Sequence, residues 1–279
     1  MFSMRYFSPA PGLRAFLSSY YVLEVGAGQV HDIMRAELAN VRFQLAGASR
    51  LSWPAGSVAD GLPASLFGPR CMPLSLTLRG PSLIFGAGIM PLGWTAFFGV
   101  DSHELADTML PLVDVAGPLA GQTWCRMMNA TSDQDLVKAA DALFTALLRA
   151  PADTRSGFAA LVEHWLLSGG SVDDLVAAAE LSSRQVERLC RRLYGAPPKQ
   201  LHRKYRALKA AVDISINPGA SWLDVAGPDY YDQSHFIREF RSFVGMTPSQ
   251  FALNGAAVMS HSIRLRRQLP TLPRLSLVS

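Results

Sequence analysis

The chain has 279 residues, of which 49% are hydrophobic and 17% charged; this excludes a disordered or low-complexity protein and leaves room for one large or two ordinary packed domains. The formal charge of +4 is unevenly spread, with 10 Lys/Arg against 11 Asp/Glu in residues 1–150 and 16 against 11 in residues 151–279. The positive field therefore belongs to the back half.

At the start, Pro9, Pro11 and Gly12 interrupt the chain before any apolar run reaches signal-peptide length, so no export is expected and a cytoplasmic location fits. From Tyr20 to about Val100 short apolar or alternating runs (YYVLEV, VRFQLA, SLIFGAG) are separated by Gly and Pro, which predicts an all-β barrel or sandwich. Gly80 to Val100 carries no charge over 21 residues, but five glycines with Pro81 and Pro91 would break a membrane helix; Ser82–Ala87 and Trp94–Val100 read as buried strands instead. No membrane partner is expected. Trp53, Trp94, Phe97 and Phe98 with Arg70 could line a ligand site, yet aromatics in strands are mostly core, and no ligand residue is assigned. Cys71, Cys125 and Cys190 form no metal-binding pair and read as buried thiols. His31 and His103 are the only front-half histidines, too few for a metal-dependent enzyme. No enzyme, metal or cofactor is expected.

Helices follow. Ser102 can cap one running to Leu110, and Ser132 to Arg149 is amphipathic, with Asp133 and Asp135 suited to the positive end of its dipole. Thr154 to Leu167 repeats that pattern and stops at Gly169-Gly170. Ser171 to Glu180 then forms a short capped helix, and Ser182 to Tyr194 a second one ended by Gly195, the arrangement of a helix-turn-helix. A longer helix from Lys199 to about Ser215 reads as a connecting rod. Ser221 to Ala226 opens a second pair, completed after Gly227-Pro228-Asp229 by Asp232 to Phe243. From Arg184 to Lys209 nine basic residues face only Glu187, a candidate polyanion-binding face. The C-terminal stretch with Arg264, Arg266, Arg267 and Arg274 reads as a mobile basic tail.

The strings SSRQVERLCRRLYGAPPKQLHRKYRALKA and DYYDQSHFIREFRSFVGMTPSQF resemble the DNA-binding region of AraC-type transcription regulators over residues 160–252. The resemblance implies two helix-turn-helix units on one rod, with both recognition helices entering successive major-groove faces of double-stranded DNA. Base reading then falls to Ser183, Arg184, Glu187 and Arg188 in the first unit, because Arg pairs bidentately with guanine and Glu accepts from cytosine. Arg191, Arg192, Lys199 and Arg203 are phosphate contacts. In the second unit Gln233, Ser234, His235, Arg238 and Arg241 face outward, with Phe236, Ile237 and Phe240 inward. Against the family pattern, Glu180 stands at a turn position usually held by Gly, Val176 where Ala is common and Cys190 where Phe is frequent, and the turn at residues 227–229 is one residue short.

More weakly, the front half resembles a sensor-like domain found ahead of AraC-type readers, which implies a cupin-like barrel. The expected fold class is therefore α+β, a β-rich domain (1–128), a helical linker (129–155), an all-α double helix-turn-helix domain (156–256) and the basic tail (257–279). The expected function is a sequence-specific DNA-binding transcription regulator responding to a small-molecule effector through its front domain. A homodimer and RNA polymerase are further candidate partners. The competing reading is a ligand- or partner-binding module with a degenerate DNA reader.

Overall fold

The computed structural model describes residues 2–149, 154–217, 219–226, 230, 232–254, 257–269 and 272–278. Its strands are β1 (Phe2–Phe7), β2 (Leu17–Met34), β3 (Ala39–Ser52), β4 (Val58–Asp60), β5 (Ala64–Phe67), β6 (Leu74–Ile89) and β7 (Met109–Pro111). The helices are α1 (Pro91–Phe97), α2 (Val113–Ala116), α3 (Pro118–Met128), α4 (Asp133–Leu147), α5 (Thr154–Ser168), α6 (Val172–Ala179) and α7 (Ser183–Tyr194). They continue with α8 (Pro198–Ile216), α9 (Trp222–Ala226), α10 (Gln233–Val244), α11 (Pro248–Asn254), α12 (Ala257–Arg267) and α13 (Arg274–Val278).

All strand pairs are antiparallel, in the order β1-β2-β6-β3-β5-β7 with β4 on β3. Side chains alternate across the sheet: Tyr20 and Val22 of β2 enter a core shared with α4, while Tyr21, Leu23 and Val25 enter one on the other face. The expected β-rich domain is present, but its sheet stays open. Among the described residues β1 and β7 do not pair, because the second face is covered by a helix, α12, packed on β1 and β2, and not by a returning strand.

Three local expectations are corrected. Trp94–Val100 is not a strand: Pro91 starts α1, and Trp94, Phe97 and Phe98 pack in the core against Phe144 and its neighbours. A short apolar run fits a buried helix as well as a buried strand, and a proline at the first helical position decides between them. The predicted helix from Ser102 to Leu110 is a single 3₁₀ turn, Ser102–Leu105; Asp107 adopts φ 58° and its carboxylate accepts from Cys71 N–H and Met72 N–H, which turns the chain into β7. The tail is folded as α12 and α13, with Ile263 and Leu275 fully buried. Alongside its arginines, Met259 and Ile263 recur at helical spacing and give α12 a face for the sheet.

Elsewhere the caps behave as their chemistry requires. Ser132 Oγ accepts from Asp135 N–H at 3.2 Å and starts α4, and Arg5 of β1 binds Asp133 at 2.7 Å. Of the cysteines, Cys71 and Cys190 are buried, whereas Cys125 is exposed, contrary to the expectation for all three: it lies on an outward turn of α3.

The front domain reaches α12 through Asp32, whose carboxylate accepts from Ile33, Val258 and Met259 N–H at 2.8, 2.8 and 3.2 Å. Burial pushes this carboxyl up to about 6, against the opposing pull of the three donors. A folded-state value above the ordinary 3.8 means that the fold gains by holding the proton, so this group lowers stability as pH rises from 3.8 to about 6. Urea midpoints measured across that window should therefore fall for the wild type relative to Asp32→Asn, which has no proton to lose there.

Candidate nucleic-acid interface

The first unit is built from two capped helices. Ser171 Oγ accepts from Asp174 N–H and the Asp174 carboxylate accepts from Ser171 N–H, which starts α6. Ser182 and Gln185 repeat this reciprocal arrangement at the start of α7. Between them Glu180 sits at φ 52°, the left-handed region that glycine enters at less cost than a side-chain-bearing residue. On α7, Val186, Cys190, Leu193 and Tyr194 are buried, while Ser183, Arg184, Glu187, Arg188 and Arg191 are exposed. Burial, with help from Glu187, pushes the Cys190 thiol up to about 12, in keeping with an inert core residue. Glu187 pairs with Arg191 at 3.0 Å, and Arg192 lies 2.8 Å from Asp101 of the front domain. An open cleft of about 590 Å³ runs along α7, with Arg184, Glu187 and Arg188 on one wall and Asp101 and His103 on the other.

The rod is α8, with Leu201, Tyr205, Ala207, Leu208, Ala211 and Ile214 buried against both units and Lys199 exposed at its start. In the second unit the shortened turn, Gly227 to Asp229, lies outside the described residues. Asp232 caps α10 by accepting from His235 N–H at 2.7 Å. Phe236 and Phe240 are buried and Ile237 half-buried; Gln233, Ser234, Arg238 and Arg241 are exposed.

Sequence reasoning missed Glu239, which is buried on α10 and joined to the rod. Arg203 Nε donates to it at 2.7 Å and Arg206 Nε at 2.9 Å, and His235 Nε2 lies 3.8 Å away. Burial opposes the charged form, but these arginine hydrogen bonds prevail and hold the carboxyl below its ordinary value. Its signal was present in the sequence: an acidic residue one turn after His235, next to Phe240 of the inward stripe. Arg203 and Arg192 are thus partly engaged, with 48% and 41% of their side-chain surface still exposed.

Helices α7 and α10 end against the front domain in the same way. Gly195 and Gly245 close α7 and α10 at φ 81° and 92°; a Cβ on the first would meet Pro69 at 2.6 Å and on the second Ile33 at 2.5 Å. Ser102 Oγ donates to Leu193 O at 3.0 Å, and Ala36 N–H donates to Phe243 O at 2.7 Å. Beside them Lys204 of the rod, buried, donates to Glu37 O at 2.9 Å, and Arg70, also buried, binds the Glu37 carboxylate at 2.6 Å. The C-terminal ends of both helices are anchored and their polar N-terminal halves are free.

Residues 175–254 match a protein-family model described as a helix-turn-helix domain. The chain carries an AraC-type helix-turn-helix domain. Among curated protein sequences, none matches the chain. Solved structures similar to it include ToxT from Vibrio cholerae, at 10% identity over 90% of this chain and 97% of that one with a TM-score of 0.48. ToxT bound to (E)-4-(8-methylnaphthalen-1-yl)but-3-enoic acid is 11% identical over 90% and 98%, with a TM-score of 0.46. The AraC-like transcriptional activator CuxR is 15% identical over 81% and 90%, at 0.30. At these scores neither a ligand nor a residue role carries over to this chain. Among the described residues, no helix is long and apolar enough to cross a membrane, and no cluster of His, Cys, Asp or Glu could hold a metal ion.

Two substitutions in the AraC-type domain test this reading of its packing by chemical denaturation. Glu180→Gly should stabilise the chain by about 1 kcal/mol by relieving the left-handed backbone. Glu239→Ala should cost about 3 kcal/mol, the low end for breaking a buried ion pair because Arg203 is half in water.

Proposed function

We propose that the protein is a cytoplasmic, sequence-specific DNA-binding transcription regulator that reads two successive stretches of major groove with α7 and α10 and answers to a small effector through its front domain. The observation that carries this reading is the shared geometry of the two helices: each is buried on its apolar stripe, anchored at its C-terminal end and exposed along its polar N-terminal half. A helix presented in this way fits the major groove with its first turns at the base edges.

Base reading is assigned to Ser183, Arg184, Glu187 and Arg188 on α7 and to Gln233, Ser234, His235 and Arg238 on α10. Arg191, Lys199 and Arg241 flank them as phosphate contacts. Arg192 and Arg203 join that set only by turning away from Asp101 and Glu239. The effector reading draws on the front domain's contact with both helix ends: whatever shifts residues 35–37 or 101–102 shifts a recognition helix.

Replacing Arg184 or Arg188 by Ala should relax preference at one base pair by about 1–3 kcal/mol and leave binding to unrelated DNA nearly unchanged. Lys199→Ala should weaken binding to all sequences alike and reduce the salt slope by about 1. The measurement is a salt titration of each variant on matched and unrelated duplexes; identical behaviour of the two classes would contradict the assignment.

A further inference from the structure

The turn Ser102–Leu105 of the front domain stands beside α7, and the open cleft between them has Arg184, Glu187, Arg188 and Arg191 on one wall and Asp101 and His103 on the other. This turn is fixed to the helix twice over. Ser102 is fully buried and its Oγ donates to Leu193 O at 3.0 Å, and Asp101 lies 2.8 Å from Arg192. The turn itself is closed by Glu104, whose N–H donates to Asp101 O at 3.1 Å and whose carboxylate accepts from Asp101 N–H at 3.4 Å. Held in this way it moves with α7, so a duplex that meets the helix meets the turn as well.

The charges around the cleft leave a positive remainder. Glu187 is paired with Arg191 and Asp101 with Arg192, whereas Arg184 and Arg188 are exposed and, among the described residues, form no ion pair. His103 is exposed too, and among the described residues its ring has no hydrogen-bond partner. Glu104 does not line the cleft, its carboxylate being folded back on Asp101. What faces the opening is therefore rich in donors, two guanidinium groups across from an imidazole that offers a ring N–H in either protonation state. A phosphodiester, which only accepts hydrogen bonds and carries one negative charge, complements that set. From Arg184 to Arg191 the helix advances about 10 Å, far more than one phosphate needs and enough for several along a strand.

We propose that His103 is a DNA contact supplied by the front domain: one strand passes between the turn and α7, and the imidazole donates to a phosphate of that strand. The proposal rests on the reading of α7 given above and amends it at one point. Asp101 occupies Arg192, and the same turn that withdraws this cation from the DNA offers His103 in its place. A phosphate contact positions without specifying, so His103 sets the register of α7 in the groove and not the base it prefers. A turn that merely shielded α7 from DNA would present unanswered carboxylates to it, and here Asp101 is met by Arg192 while Glu104 is turned inward.

The test is fluorescence-anisotropy titration of the full chain on a duplex that it selects from a random library and on an unrelated duplex of equal length. His103→Ala is expected to weaken both complexes about 3- to 10-fold without changing the selected sequence. His103→Lys is expected to restore the affinity and to steepen the salt slope by about 1. His31→Ala, at an exposed histidine of β2 that lines no part of the cleft, should leave both complexes as they are. Binding by His103→Ala equal to that of the wild type would overturn the contact, and tighter binding would make the turn a shield. Arg188→Ala in the same titrations keeps the two readings apart. Loss of base preference there with no effect at His103 removes the turn and keeps α7, whereas a chain indifferent to both variants, or one that binds neither duplex, loses α7 as the reader as well.

Discussion

A helix leaves its last carbonyl groups without partners inside the helix, and in this protein two of those groups, one near the end of α7 and one near the end of α10, are satisfied by the front domain. Ser102 donates to Leu193 O and Ala36 to Phe243 O, with a left-handed glycine next to each contact. The remaining geometry depends on these caps. They bury the C-terminal ends of α7 and α10, leave the N-terminal halves to face outward, and tie both to the front domain, α7 through the turn at Ser102 and α10 through the connection between β2 and β3.

The rod between them is held by charge as well as by packing. Lys204 gives its ammonium to Glu37 O, and Glu239 draws Arg203 and Arg206 onto α10. Buried ion pairs contribute little net stability once desolvation is counted, but removing one partner strands the other. Such contacts therefore define an arrangement more than they strengthen it. In the proposed double reader that is the useful property, because the angle between two helices decides which pair of grooves they can enter together. The short segment 36–37 combines a helix cap and an anchor for the rod.

Much of the reader was legible in the sequence because its helix ends are written in local chemistry. Ser132, Ser171, Ser182 and Asp232 each cap the helix that their side chains suggest, and Gly195 and Gly245 end theirs. Glu180 was legible as a departure from the family's turn, and its backbone takes the left-handed conformation that favours glycine. What escaped depends on contacts distant in sequence. The open edge of the sheet and the docking of α12 reflect a partnership between residues more than 200 positions apart, such as Asp32 and Val258, and no local pattern encodes it. Glu239 escaped because an acidic residue on a basic helix reads as solvated until Arg203 and Arg206 are seen to reach it.

The claim on which this description turns is that α7 and α10 act as one body with a set separation. Selection of bound duplexes from a random library by the full chain measures it directly. Two conserved blocks at one constant spacing of about 10 bp, a single helical turn, are the expected result. One block alone, or two whose separation varies from duplex to duplex, would contradict it.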